Sequence, residues 1–183
     1  DPDKISFTSF TTQALPYPRL KENKDSNVLI AGTGGGEGIL RALYFNSKNI
    51  TGLEINRNVI DLMKNELSAY SGNIYNLDNV EIYNLDARDF IRKTKKTFDI
   101  IEISLMDSVV STSFNSINEN YLFTVESFYG FYNKLTDRGI LAVTRWIKEP
   151  AYDPVKLFNT IVESAKKYGI SGYRDKIIFI RSS

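Results

Sequence analysis

The sequence predicts an α/β fold built around one mainly parallel, doubly wound sheet with helices on both faces. From residue 28 onward, short apolar runs alternate with amphipathic stretches, as in chains of repeated strand-helix units. The apolar runs are nearly continuous, which is typical of strands buried on both sides. A glycine cluster at residues 32–36 separates the first predicted strand from its helix. A length of 183 residues suits one domain of this class.

The elements follow from the hydrophobic period and the turn residues. Residues 1–27 lack a regular period, and Pro16 and Pro18 oppose a regular helix, so an irregular N-terminal arm is predicted before one domain at residues 28–183. Strands are predicted at 28–31, 50–54, 80–84, 98–104, 140–145 and 177–180. Helices are predicted at 37–45, 57–70, 87–93, 125–135 and 154–168. In the helix at 57–70, Val59, Ile60 and Met63 share one face.

The composition limits the chemistry that this chain can perform. The formal net charge is +1, from 23 basic and 22 acidic residues, so there is no electrostatic reason to expect a nucleic-acid partner. The chain has neither cysteine nor histidine, which excludes thiolate nucleophiles, a Ser-His-Asp triad and the usual zinc ligands, and no metal is expected. Proton transfer is left to Asp, Glu, Tyr or Lys. No apolar run reaches the ~18 residues of a membrane span, so this segment itself is not expected to contact a membrane.

The glycine cluster predicts a binding site for a small molecule. Gly32, Gly34 and Gly36 can adopt positive φ and let a ligand approach the backbone at a helix N-terminus. A dinucleotide is disfavoured, because the third glycine position of its G-x-G-x-x-G fingerprint is Glu37 here. A carboxylate about 4 Å from a phosphate charge costs roughly 1–4 kcal/mol. A positively charged nucleoside without phosphate, such as S-adenosylmethionine, fits better; alternatively, the helix dipole simply favours an acid in this first turn.

Acidic residues follow two further predicted strands at the edge where parallel sheets bind ligands. Glu54 lies 18 residues after Gly36, where an acid commonly accepts both ribose hydroxyls, and the adjacent Ile55 belongs to the same predicted site. Asp86 follows the third predicted strand. There it either accepts a hydrogen bond from an adenine amino group, with the Ala87 amide reading the ring, or it caps a helix.

Five segments carry a resemblance to a known family. They are VLIAGTGGGEGILRAL, ITGLEINRNVIDL, NVEIYNLDARDFI, FDIIEISLMD and YLFTVESFYGFYNKLTDRGILAVTRW, within residues 28–146. They resemble the spermidine synthase (aminopropyltransferase) superfamily, a branch of the Rossmann-like class I methyltransferase fold. The resemblance implies S-adenosylmethionine or its decarboxylated form as cofactor. It implies nucleoside contacts for Gly32, Gly34, Gly36, Glu54, Asp86 and Ala87.

The fourth of these segments departs from the family pattern. Family members carry an aspartate-rich motif of the D-[ST]-x-D-P type, whose first aspartate activates the attacking amine. Here Ser104 replaces the first acid, Asp107 retains the second, and Ser108 replaces the proline. The family's N-terminal β-hairpin domain has no counterpart in residues 1–27, and the sheet is expected to lack its last strand. The pattern is closer to a bacterial branch in which such a domain is attached to membrane-spanning segments.

These features predict a methyl or aminopropyl transferase that acts on a small amine-type acceptor. Asp107 is the candidate to hold or deprotonate the amine, with Ser104 as a hydrogen-bond partner, although an aspartate before a serine-rich loop also caps turns. Residues 108–120 form either a lid over the acceptor or a simple connection. Tyr121 either approaches the donor or packs in the core, and Trp146 is expected to pack.

Other hypotheses belong to different classes. One is a catalytically inactive nucleoside-binding domain that regulates a larger membrane protein, which the loss of the first acid at Ser104 favours. A nicotinamide-dependent oxidoreductase is disfavoured by Glu37 and Asp86, and no [ND]-P-P-[YF] motif supports a nucleic-acid methyltransferase. The expected location is cytoplasmic, either free or as the cytoplasmic domain of a membrane protein, and a homodimer is one expected state.

Overall fold

The computed structural model describes residues 2–23, 25–104, 122–145 and 152–180. Its strands are β1 (Asn27–Ala31), β2 (Asn49–Leu53), β3 (Val80–Tyr83), β4 (Phe98–Ser104) and β5 (Leu135–Thr144). Its α-helices are α1 (Glu37–Tyr44), α2 (Arg57–Lys64), α3 (Ser68–Ser71), α4 (Ala87–Lys93), α5 (Val125–Tyr132) and α6 (Tyr152–Lys167). Short 3-10 helices cover Pro2–Phe10, Thr12–Ala14, Tyr17–Glu22, Ile74–Asn76 and Tyr173–Asp175.

The five strands form one parallel sheet in the order β3-β2-β1-β4-β5. β1 is central, and its Val28 is aligned with Ile50 of β2 on one side and with Ile100 of β4 on the other. The chain moves outward from β1 to β3 and then returns to β4, so the strand order reverses between β1 and β4. Ligands of doubly wound sheets bind at the carboxyl ends of the strands beside such a reversal. The predicted fold class is confirmed.

Two hydrophobic cores lie on opposite faces of the sheet. Successive side chains of a strand point to opposite faces, so Val28 and Ile30 pack in one core while Leu29 and Ala31 pack in the other. The first core holds α1 and part of the N-terminal segment, and the second holds α4 and α5. This burial on both sides explains why the strand sequences are nearly continuous in apolar residues.

The segment before β1 contributes to the first of these cores. Ala14, Tyr17 and Leu20 are buried together with residues of β1 and α1. The segment forms 3-10 turns rather than an α-helix, because Pro16 and Pro18 lack the amide hydrogen that a helix interior requires. The domain boundary at residue 27 stays a prediction.

The predicted helix at residues 57–70 is divided in the structure. α2 ends at Lys64, and a separate short helix, α3, begins at Ser68. Between them, the Asn65 side-chain amide donates to the carbonyl oxygen of Asp61 at 2.8 Å. The Asp61 carbonyl also accepts the Asn65 backbone amide at 3.1 Å, whereas the Leu67 amide donates to the Leu62 carbonyl, five residues back, so the helical spacing is lost there. The prediction of one continuous helix is therefore wrong.

The predicted sixth strand at residues 177–180 is wrong as well. Ile178 and Phe179 are 80% and 61% exposed and belong to no strand. A strand requires a neighbouring strand for its amides and carbonyls, and among the described residues β5 pairs with β4 alone. β5 also begins at Leu135, so the helix predicted at 125–135 is shorter than expected.

α6 packs against α5 rather than directly on the sheet. The Ser164 hydroxyl of α6 donates to the carbonyl oxygen of Val125 at 2.8 Å, and the rings of Tyr129 and Tyr168 are stacked with centroids 3.7 Å apart. α6 has 16 residues. No helix in the described ranges has both the length and the apolar character needed to cross a bilayer.

Candidate functional site

The loop between β1 and α1 has the backbone that the glycine cluster predicts. Gly32, Gly34 and Gly36 have φ values of 82°, 47° and 90°, which L side chains rarely adopt. A Cβ atom at Gly36 would lie 2.3 Å from Cδ1 of Ile74, so the loop packs tightly there. A Cβ atom at Gly34 or Gly35 would meet no described atom within 4 Å. The tip of the loop therefore faces open space while its base is packed.

Glu54 joins the end of β2 to this loop. Its Oε2 atom accepts a hydrogen bond from the Gly34 amide at 3.0 Å, and its Oε1 atom accepts one from the Asn56 amide at 2.9 Å. The residue is 9% exposed, at the border between the core and the surface. A carboxylate has about four lone-pair positions, so both oxygens retain capacity for ligand hydroxyls. This arrangement suits the ribose contact that the sequence predicts for Glu54.

Asn84 fixes the peptide that follows Glu54. Its side-chain amide nitrogen donates to the carbonyl oxygens of Glu54 and Ile55, at 2.9 Å each. These two hydrogen bonds tie the end of β3 to the end of β2, and Ile55 is 50% exposed beside them. Asn84 was not predicted as a site residue, although its place directly after an apolar strand was a usable signal.

Tyr75 supports the glycine loop from below. Its hydroxyl oxygen lies 2.7 Å from both the Thr33 hydroxyl and the carbonyl oxygen of Gly34. A carbonyl only accepts, so Tyr75 donates to Gly34 and receives the hydrogen of Thr33. Burial, as the largest cause, raises the pKa of Tyr75 to about 12, which keeps the phenol protonated as a donor at neutral pH. The sequence carried no signal for this residue.

Asp86 is the N-cap of α4. Its Oδ1 atom accepts the Arg88 amide hydrogen at 2.9 Å and lies 3.4 Å from Nε of Arg88. Ala87 is the first residue of the helix and is buried, and amides in this first turn have no intrahelical acceptor. Capping uses one carboxylate oxygen, so it is compatible with an adenine contact through the other. The N-cap interpretation of Asp86 is confirmed, and the adenine contact stays a prediction.

Glu37 is paired within its own helix. Its Oε1 atom lies 2.5 Å from Nη2 of Arg41, one turn further along α1, and its side chain is 52% exposed. The sequence predicts Glu37 either as a carboxylate facing the ligand or as a first-turn acid favoured by the helix dipole. The structure adds the opposite charge of Arg41, which reduces the negative potential that Glu37 presents at the loop.

The remaining predicted residues lie at or beyond the end of β4. Ser104 is the last residue of β4, aligned with Thr144 of β5. Asp107, residues 108–120, Tyr121 and Trp146 lie outside the described residues. The structure thus brings together the glycine loop, Glu54 with Ile55, and Asp86 with Ala87 at the carboxyl edge of the sheet, next to the end of β4.

Comparison with known families identifies the chain. A profile of the spermine/spermidine synthase domain matches residues 14–179. The chain belongs to the spermine/spermidine synthase family. The matched range includes the 3-10 helix Tyr17–Glu22 before β1 as well as the whole parallel sheet.

One curated relative and two solved structures are similar to this chain. The polyamine aminopropyltransferase of Buchnera aphidicola subsp. Acyrthosiphon pisum (strain Tuc7) is 33% identical over 125 residues, which are 67% of this chain and 41% of the relative. The spermidine synthase of Thermotoga maritima superposes with a TM-score of 0.61 at 22% identity, covering 89% of this chain and 50% of that chain. A spermidine synthase in complex with the transition state analogue AdoDATO gives 0.59 at 23% identity, covering 85% and 49%.

These matches differ in what they establish. The structural matches lie below 25% identity and support the fold alone. The chain spans about two fifths of the length of the curated relative that it matches. Family membership therefore applies to this domain and does not by itself establish the activity of the whole protein.

Proposed function

We propose that this chain is the nucleoside-binding domain of an aminopropyltransferase of the spermidine synthase type. Its donor is decarboxylated S-adenosylmethionine, its acceptor is a small amine, and methyl transfer from S-adenosylmethionine is the competing reaction. The observation that carries the proposal is the Glu54 carboxylate, which bonds the Gly34 amide at the carboxyl edge of the sheet and retains acceptor capacity. Family membership supports aminopropyl over methyl transfer.

The described residues suit an adenosyl group with a positively charged tail. The open space at Gly34 and Gly35 leaves room for a ligand against the loop backbone. Glu54 would accept the ribose hydroxyls, while Asp86 and the Ala87 amide would contact the adenine edge. Glu37, at the first turn of α1, would attract the terminal ammonium of the donor.

Aminopropyl transfer forms one C–N bond and breaks one C–S bond. The bound donor supplies a sulfonium leaving group, so the C–S electron pair stays on sulfur and neutral 5′-methylthioadenosine is released. The acceptor nitrogen loses one proton, which Asp107 is proposed to receive or to orient, with Ser104 as its hydrogen-bond partner. The chain contributes mainly by holding donor and acceptor in line, which requires neither histidine nor cysteine.

The test is a product assay with two donors. The purified protein is incubated with a diamine and either decarboxylated S-adenosylmethionine or S-adenosylmethionine, and products are separated by mass spectrometry. We expect 5′-methylthioadenosine and an amine longer by one aminopropyl group with the first donor. Asp107→Asn should lower kcat by about 10²–10⁴, and Asp78→Asn, at an exposed aspartate between the 3-10 turn and β3, should leave it unchanged.

Other products would decide against aminopropyl transfer. Formation of S-adenosylhomocysteine and a methylated amine from S-adenosylmethionine would assign the chain to methyl transfer. Full activity in Asp107→Asn would remove Asp107 from the reaction.

A second candidate function is a nucleoside-binding domain without transfer activity. Ser104 favours it, because a serine hydroxyl is a far weaker proton acceptor at neutral pH than the aspartate at this position of the family motif. Under this function the protein binds the donors tightly but forms neither product in the assay, even with the full diamine series.

A further inference from the structure

Arg41 connects the rim of the glycine loop to the centre of the sheet. The residue is 1% exposed, and its Nη2 atom lies 2.5 Å from Glu37 at the loop. Its Nη1 atom lies 2.5 Å from Oε1 of Glu102 in the middle of β4. One guanidinium group is therefore shared between a half-exposed carboxylate and a buried one.

Tyr17 orients the buried carboxylate. Its hydroxyl donates to Oε2 of Glu102 at 2.5 Å, and both residues are essentially inaccessible to solvent. Burial and the neighbouring Glu102 carboxylate raise the pKa of Tyr17 well above its ordinary value, so the phenol keeps the proton that it donates. The result is a continuous chain of contacts from Tyr17 through Glu102 and Arg41 to Glu37.

The position of the guanidinium depends on these carboxylates and on the Tyr17 hydroxyl, which also interacts with Arg41. Nε of Arg41 is buried and has no hydrogen-bond partner in the part of the chain that the structure describes. The helix backbone also has little freedom to move, since a Cβ atom at Gly38 would lie 3.0 Å from Ile30 and 3.3 Å from Oε1 of Glu102. Weakening one carboxylate would therefore shift Arg41 toward the other.

Stability of the fold alone does not readily explain this series of buried charged contacts. Replacing a buried ion pair by well-packed apolar residues is often neutral or stabilising, because desolvation offsets the Coulomb attraction. The other residues of β4 near its centre are apolar, so Glu102 occupies a position where an apolar residue would fit the pattern of the strand. A role at the site explains the ionic arrangement better, because Glu37 lies at its exposed end.

We propose that Arg41 is a positioning residue for Glu37, and that Glu102, oriented by Tyr17, sets how strongly Arg41 holds Glu37 at the loop. This inference rests on the proposed function, in which Glu37 attracts the ammonium tail of the donor. When Glu102 holds the guanidinium, Glu37 keeps more of its negative charge for the ligand. The buried contacts thereby set the preference of the site for a cationic nucleoside over a neutral one.

The preference is measurable as a ratio of two affinities. Decarboxylated S-adenosylmethionine carries the cationic tail, and 5′-methylthioadenosine has the same adenosyl group without it. General destabilisation of the fold weakens both ligands together, whereas a change at Glu37 alters the ratio of their Kd values. The ratio is measured by calorimetry for the wild type, Glu37→Gln, Glu102→Gln and the double variant, after a thermal melt confirms folding.

We expect Glu37→Gln to reduce the preference about tenfold. Glu102→Gln releases Arg41 toward Glu37 and should reduce the preference by about threefold to tenfold, with no further reduction in the double variant. Glu126→Gln, which removes a surface carboxylate paired with Lys167, is the matched control and should leave the ratio unchanged. An unchanged ratio in Glu102→Gln overturns the proposal. The proposal is also overturned if Glu102→Gln lowers the ratio as much in the Glu37→Gln background as in the wild type. Glu102 would then act only through its own charge.

A milder variant keeps the test decisive if Glu102→Gln does not fold. Tyr17→Phe removes one hydrogen-bond donor from Glu102, so Glu102 should hold Arg41 more strongly. The preference for the cationic ligand should then rise about twofold, and only when Glu37 is present. An unchanged ratio in Tyr17→Phe overturns the proposal equally. Absence of binding by both ligands to the wild type would contradict the proposed function itself, which distinguishes the two failures.

Discussion

The Glu54 carboxylate accepts the amide hydrogen of Gly34 at 3.0 Å, across 20 positions of sequence. The bond connects the end of β2 with the loop that follows β1, at the edge where the strand order reverses. The loop is thus oriented before any ligand arrives, and preorganisation of this kind lowers the ordering cost of binding. Glu54 therefore orders the loop, and its oxygens keep the capacity to accept further hydrogen bonds.

Removal of the Glu54 carboxylate should loosen the loop. In Glu54→Ala, the amides of Gly34 and Asn56 lose their acceptor, so we expect their hydrogen exchange to accelerate roughly tenfold, in line with the loss of one hydrogen bond of about 1–1.5 kcal/mol. NMR exchange rates of the two amides provide the measurement. Glu66→Ala, at an exposed site between α2 and α3, should leave them unchanged. Equal rates in Glu54→Ala and the wild type would show that the contact does not order the loop.

An alanine at Gly36 should destabilise the protein, whereas one at Gly35 should not. Gly36 has a φ of 90° and its added Cβ would lie 2.3 Å from Ile74, so Gly36→Ala should lower the free energy of unfolding by roughly 1–3 kcal/mol. Gly35 has neither constraint, and Gly35→Ala should stay within about 0.5 kcal/mol of the wild type. Urea unfolding followed by circular dichroism compares them. Equal stability of both variants would contradict the packed loop base.

Loss of the buried guanidinium should cost far more than loss of an exposed one. Arg41→Ala leaves Glu102 buried beside an empty position and should reduce the free energy of unfolding by roughly 3–5 kcal/mol. Arg57→Ala removes an exposed pair with Asp61 one helical turn away and should cost less than about 0.5 kcal/mol. Chemical denaturation of both variants tests the contrast, which fails if their midpoints coincide.

Alkaline pH should weaken the fold through Tyr75. Its pKa is raised from the ordinary value of 10.0 to about 12, so its stabilising contribution is complete below pH 10 and is lost as the pH rises through 12. The raised pKa of Tyr17 acts with the same sign. Between pH 8 and pH 11 the free energy of unfolding should decrease in the wild type. In Tyr75→Phe we expect this decrease to be smaller by about 1 kcal/mol, allowing for solvent screening. Identical pH profiles in urea unfolding would refute the role of Tyr75.

The parts of the fold that the sequence predicts correctly are those with local patterns. β1 and β4 are apolar runs, and the loop at Gly34 is marked by its glycines, so neither needs knowledge of distant residues. The errors occur where a distant partner decides. Residues 177–180 have the composition of a strand but lack a neighbouring strand among the described residues. The end of α2 is a different case, because the contacts of Asn65 with Asp61 are local but are not visible in the apolar period.

The candidate site divides in the same way. Glu54 and Asp86 follow apolar strands, which is a local signal, and the fold brings them to one edge. The contact of Tyr17 with Glu102 spans 85 positions and that of Arg41 with Glu102 spans 61, so no local pattern predicts them. One signal was present, because the carboxylate of Glu102 stands between Ile101 and Ile103 in the buried part of β4 and requires a buried partner.

Calorimetric titration of the purified protein with decarboxylated S-adenosylmethionine measures nucleoside binding at this site most directly. We expect a Kd on the order of micromolar, about −8 kcal/mol in free energy, and at least tenfold weaker binding in Glu54→Ala. S-adenosylmethionine, titrated in parallel, should bind more weakly than its decarboxylated form. Absence of binding by either donor to a folded sample, or equal affinity in Glu54→Ala, would contradict a nucleoside site at the glycine loop.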